Sequence, residues 1–205
     1  PPARAGENIL ELEMPFSPRS NPEWCYILGN FGVKVRGAAS ILTDAPKTLA
    51  FGSVTTQGLA FYGGNITYRI PVEIPEGSVG IRIQATHFRG ALVTVSAMPM
   101  DAGEFSGDTG RNFSGEEAVL MVPPYEGKLS LTPGRWEILL TVYGNRFNSF
   151  GQVHLSDEKE DWLGADSWRS EGAAFSYEYR LKPLGLLSAP KLWAEIEPAE
   201  RKEKF

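Results

Sequence analysis

The feature that most limits how this chain folds is a two-residue alternation of apolar and polar side chains. In residues 65–74, Ile66, Tyr68, Ile70, Val72 and Ile74 fall on one side of an extended backbone. After the turn "PEG", Val79, Ile81, Ile83 and Ala85 alternate with Gly80, Arg82 and Gln84. "HFRG" breaks that run, and Ala91, Val93, Val95 and Ala97 resume it around Thr94 and Ser96. After "TPG", Trp136, Ile138, Leu140 and Val142 form another such face. Phe175, Tyr177, Tyr179 and Leu181 alternate with Ser176, Glu178, Arg180 and Lys182. No window of helical length keeps a 3.6-residue period. With 22 glycines and 15 prolines punctuating the short runs, the chain reads as all-β.

A strand with one apolar face needs a second sheet to cover it, so the expected architecture is a β-sandwich or jelly roll. Residues 47–190 make up that domain. "PPARAGENILELEM" repeats the pattern of "LSLTPGRWEILLTV", with Leu10, Leu12 and Met14 alternating around Glu11 and Glu13. It reads as the last strand of an upstream module or as an extra strand of this sandwich. Residues 1–46 are therefore expected to be N-terminal strands and a connector, with "YILGNFGVKV" forming a strand pair. Residues 191–205 read as a C-terminal tail. A short helix around Trp193 and Ile196 would be interrupted there by Pro198.

The net charge of -5 and a pI near 5.2, with no cluster of Lys or Arg, argue against nucleic acid as a partner. No run of about 18 apolar residues exists, so no membrane-spanning helix is expected. "PPARAGENIL" has no apolar signal core, but the chain begins without Met, so that point carries no weight. One cysteine, Cys25, precludes an internal disulfide and suits a cytoplasmic, reducing compartment better than secretion. Two histidines, His87 and His154, are too few for a multi-histidine metal centre.

In order, the middle of the chain reads "AFYGGNITYRIPVEIPEG", "GIRIQATHFRGALVTV" and "PPYEGKLSLTPGRWEILLTVYGNRFNSFG". This resembles the sugar-binding, galactose-binding-domain-like jelly-roll modules of glycoside hydrolase family 2 and related large glycosidases. The shared pattern is carried by Tyr62, Gly63, Tyr68 and Arg69, then Phe88 to Ala91. It continues through Tyr125, Leu129 and Leu131 to the strand that follows Gly134. It covers roughly residues 49–190. One departure is clear: where the family has a short Asn-Gly hairpin, this chain carries the long loop "SAMPMDAGEFSGDTGRNFSGEE". Loops of this length are frequently functional. The resemblance implies a non-catalytic module whose catalytic barrel lies elsewhere in a longer parent chain.

The chemistry-bearing residues are few. Hydrolysis of a glycosidic bond ordinarily uses two carboxylates roughly 5–10 Å apart. Among 25 acidic residues no pair is marked as buried, and "DEKED" reads as a solvated loop. Cys25 in "EWCYILG" reads as a buried, inert thiol. No Gly-x-Ser-x-Gly elbow occurs. "DAGEFSGDTG" offers Asp101, Glu104 and Asp108 to a structural calcium, a hard cation that takes loop oxygens, although the spacing matches no EF-hand. A polar loop with scattered acids is the commoner explanation of those residues.

Carbohydrate recognition needs an aromatic face for the apolar side of a sugar and planar polar groups for its hydroxyls. "DWLGADSWRSEG" supplies Trp162, Trp168, Asp166 and Arg169. The indoles either plug the end of the sandwich, which is the simpler reading, or form a sugar platform. "YGNRFNSFGQVHL" adds Arg146, Asn148 and His154. It reads first as a self-bonded corner clamped by Phe147 and Phe150, with Asn145 and Asn148 satisfying nearby amides. Arg146 would pair with Asp161 or Asp166. The alternative places Arg146, Asn148 and His154 beside the tryptophans at one rim, against a glycan or the adjacent catalytic domain.

The expected function is thus an accessory module of a bacterial-type glycoside hydrolase that binds carbohydrate weakly or braces a catalytic domain. A free-standing lectin-like protein is the alternative. An independent glycosidase ranks third.

Overall fold

A computed structural model describes residues 6–20, 25–100, 116–157, 164 and 167–196. The described chain is almost entirely strand and loop. Its elements are β1 (Gly32–Arg36), β2 (Ala39–Thr43), β3 (Ile66–Ile74), β4 (Ser78–Gln84), β5 (Phe88–Arg89), β6 (Leu92–Pro99) and β7 (Glu117–Leu120). They continue with β8 (Glu126–Leu129), β9 (Gly134–Tyr143), the single helical turn α1 (Phe147–Phe150), β10 (Gly185–Leu186) and β11 (Lys191–Ile196). No described helix is long and apolar enough to cross a membrane.

Two antiparallel sheets dominate, one in the order β3-β9-β6-β7 and one in the order β11-β4-β8. The alternation explains how they meet. Strand β9 is central, and its Ile138, Leu140 and Val142 are flanked in register by Ile70, Tyr68 and Ile66 on β3. Ala97, Val95 and Val93 of β6 flank the same residues on the other side. Ile81 and Ile83 of β4 and Leu129 of β8 join the β9 and β6 residues in one buried cluster, against which Tyr68 and Ile70 pack, while Ile66 belongs to a second, smaller cluster with Val54 and Leu184. The described chain is therefore all-β and sandwich-like, with its main core between the sheets.

The other faces are polar and paired. Thr67 and Thr141 are joined by a hydroxyl–hydroxyl hydrogen bond of 2.9 Å. The Arg69 guanidinium donates to the Glu137 carboxylate at 2.6 Å. On the smaller sheet, Glu195 receives Lys128 Nζ at 3.0 Å, and the hydrogen bond from Lys128 is the main reason its carboxyl titrates below the usual Glu value. Arg82 lies over the Trp193 ring at 4.6 Å.

Four expectations from sequence need correction. First, residues 191–196 are no helix or free tail but strand β11, paired along β4. Leu192 reaches the core, and the rest of the strand is supported by cross-sheet pairs. Second, residues 7–14 alternate yet join no sheet, and Ile9, Leu10, Leu12 and Met14 are exposed. Third, residues 175–181 form only an isolated bridge, Phe175 to Leu155, rather than a strand. Fourth, the hairpin at the N-terminal end is β1–β2, and residues 26–31, read as part of a strand pair, are not in a strand.

Candidate functional site

The hairpin β1–β2 docks on the sandwich through backbone hydrogen bonds. Val33 N–H donates to Gly58 O at 2.8 Å, and Tyr179 N–H donates to Gly37 O at 3.1 Å. Between the hairpin and the sandwich end lies a cavity of about 720 Å³. Residues 25–29, Phe31 and residues 58–64 line it. The loop after β9 contributes Arg146 and residues 148–154, and Val33, Ser40, Leu42, Ser167, Trp168, Arg169 and Tyr179 complete the lining. A segment read from sequence as a connector thus builds part of the cavity.

Glycines let the two central loops touch. A Cβ on Gly63 would fall 2.7 Å from Ser149 Oγ, and one on Gly144 would overlap the Gly64 carbonyl. Ser149 Oγ donates to Phe61 O at 2.7 Å and ties the loops together. The helical turn α1 has Asn145 in front of it, whose Oδ1 accepts from Phe147 N–H at 3.1 Å. The corner is self-bonded only in part: Asn145 bonds within it, whereas Asn148 and Ser149 bond segments outside it.

The cavity gathers five of the seven sugar-contact candidates: Arg146, Asn148, His154, Trp168 and Arg169. Their roles differ. Asn148 is buried, and its amide exchanges two hydrogen bonds with the Lys182 backbone, so it braces the wall. His154 Nδ1 lies 2.9 Å from Ser176 O. A carbonyl can only accept, so Nδ1 carries a proton and Nε2 is left for other partners. The imidazole lies 4.5 Å from the Tyr179 ring and 5.5 Å from that of Phe175. Phe175 and Tyr179 thus pack against this histidine, while Tyr177 between them is exposed. Trp168 lines the cavity and is 46% exposed. Arg146 is also exposed.

Trp162 and Asp166, and with them Asp161, lie outside the described residues. So do Asp101, Glu104 and Asp108, the calcium candidates. Among the described residues, no group of three or more His, Cys, Asp or Glu side chains is placed to hold a metal. Cys25 corrects another expectation: it is exposed at the cavity wall, because residues 25–30 form no strand that could bury it.

Sequence reasoning missed most of the aromatic lining. Tyr26 meets Phe150 edge-on, with ring centroids 4.8 Å apart, and Phe61 meets Tyr179 at 5.2 Å. Tyr62 is partly exposed, its hydroxyl donating to Asn65 O at 2.9 Å. The pairing of aromatics with glycines in "FYGG" was the one signal available. Among the described lining residues no carboxylate occurs. What they provide is aromatic surface, two guanidiniums, an imidazole and a second amide, Gln152.

Comparison of the chain with protein-family models, curated proteins and solved structures gives no match.

Proposed function

We propose that this chain is a carbohydrate-binding β-sandwich module of the galactose-binding-like, jelly-roll kind, accessory to a glycoside hydrolase. The observation that carries this reading is the cavity at the end of the sandwich. There Trp168 and Tyr62 offer partly exposed rings beside Arg146 and His154. A sugar has an apolar face that suits an aromatic ring and hydroxyls that suit planar donors and acceptors, and clefts that combine the two are usual ligand sites. A volume of about 720 Å³ is within the usual range of small-ligand pockets. The chain's role is binding, and the hydrolytic carboxylates belong to another part of the parent protein.

A second role, bracing a neighbouring domain, is favoured by a separate feature. Ile9, Leu10, Phe16, Ile27 and Leu28, all in the N-terminal segment of the chain, are strongly exposed. Exposed apolar surface of this kind suits contact with another protein surface.

Binding to a glycan array tests the first role, with aryl-glycoside hydrolysis measured in parallel. Binding without turnover is expected. Hydrolysis by the chain alone would overturn the accessory assignment, and the absence of binding to any glycan would overturn the carbohydrate assignment.

A further inference from the structure

We propose that Gln152 is the residue that reads the sugar, and that the guest it selects presents two adjacent hydroxyls. This rests on the carbohydrate reading of the cavity and adds the group that confers selectivity. Gln152 is only 4% exposed, yet neither Nε2 nor Oε1 has a hydrogen-bond partner. A buried amide without partners is costly, and folded proteins rarely leave one so. The contrast with Asn148 is direct. Asn148 lies four residues earlier on the same loop and is equally buried, and both ends of its amide are bonded to Lys182.

The backbone around Gln152 is held firmly. Gly151 N–H donates to Phe147 O at 2.6 Å, and Val153 N–H donates to Gly151 O at 3.0 Å. The main chain is therefore fixed, while the side-chain amide is left with its hydrogen-bonding capacity unused. Its position also matters. Gln152 lines both the main cavity and a smaller cavity of about 400 Å³ bordered by Asn145, Arg180 and Lys182. The terminal torsion of a glutamine is soft, so a small rotation turns the amide toward a guest.

A primary amide holds a donor and an acceptor side by side in one plane. Two neighbouring sugar hydroxyls match that pair: one accepts from Nε2–H and the other donates to Oε1. A single hydroxyl would leave half of the amide unpaired. The ligand class is thus a glycan with a free vicinal diol directed at the floor of the cavity.

Calorimetry of the whole chain tests this with methyl galactoside, methyl glucoside, methyl mannoside and the monodeoxy counterparts of each. The wild-type chain should bind at least one parent glycoside and lose about tenfold or more on deletion of either of two adjacent hydroxyls. Gln152→Met, similar in length but without the amide, should keep the melting temperature, bind the parent at least about tenfold more weakly, and no longer distinguish it from those deoxy forms. If Gln152→Met fails to fold, or melts lower in proportion to its loss of binding, the amide serves folding and the inference is overturned. Wild-type binding indifferent to adjacent deoxygenation, or unchanged in Gln152→Met, overturns this inference alone. Wild-type binding to no member of the panel overturns the carbohydrate reading together with it.

Discussion

Asn148 and Lys182 exchange a pair of hydrogen bonds across 34 residues of sequence: Asn148 Nδ2 donates to Lys182 O at 2.8 Å, and Lys182 N–H donates to Asn148 Oδ1 at 2.9 Å. A side-chain amide here does what a neighbouring strand does in a sheet, completing the donor and acceptor of an otherwise unpaired backbone. The same contact fixes the loop after β9 against the segment that leads into β10. Lys182 Nζ adds to it by sitting 4.3 Å from the centre of the Phe147 ring. Asn148→Ala leaves both backbone groups without partners and should cost about 2–4 kcal/mol in urea unfolding. Asn148→Asp keeps the acceptor but sets a carboxylate against the Lys182 carbonyl, and it should also destabilise. Wild-type stability in both variants would mean that the clamp contributes nothing.

Trp136 tests the register of the central sheet. It stands opposite Val72 on β3 and Pro99 on β6, packs against the main core, and donates Nε1–H to Thr132 O at 2.9 Å. Its substitution by Ala removes half-buried aromatic surface and a satisfied indole hydrogen bond. A loss of about 2–4 kcal/mol in denaturant unfolding is expected, toward the lower end of the range for a fully buried tryptophan. A change near zero would move Trp136 off the inner face.

Tyr68 gives a prediction with a pH sign. Burial raises its phenol above the ordinary value of 10.0, and the Leu186 N–H that donates to its oxygen at 3.0 Å opposes that shift only in part. The folded state therefore favours the neutral phenol. Its contribution to stability is complete below the unfolded value, near pH 10, and is lost as pH rises through the higher folded value. Tyr68→Phe removes this titration, so its unfolding free energy should fall less steeply above pH 10 than that of wild type. At neutral pH the variant should be about 1 kcal/mol less stable, because Leu186 N–H loses its acceptor. Parallel alkaline slopes for the two proteins would contradict the assignment.

The long strands were legible because each carries its own instruction. Alternation in residues 66–74, 81–85, 93–97 and 136–142 states which side chains share a face, and the core uses those faces. Alternation does not state whether a partner edge exists, since pairing is decided by chain far away in sequence. That is why residues 7–14 and 175–181, with the same pattern, form no strand, while β11, a weaker pattern, does. The site was legible in part for the same reason. Arg146, Asn148, His154, Trp168 and Arg169 stand out as polar or aromatic residues in loops. The wall formed by residues 25–31 depends on the docking of β1–β2, a tertiary event that leaves no local mark. Gln152 is one glutamine in a polar loop, and only its burial without a partner distinguishes it.

The aromatic faces at the cavity are the centre of the proposal, and the indole N–H resonances of the tryptophans report on them one by one. Titration of the labelled chain with the best glycan from the array should shift the Trp168 indole signal and leave those of Trp136 and Trp193 in place. Trp168→Ala should then weaken binding at least about tenfold while leaving the fold intact, as expected for a half-exposed ring at a stacking contact. A glycan that binds but moves Trp193, on the outer face of the smaller sheet, while Trp168 stays unmoved would place the site elsewhere and contradict the proposal.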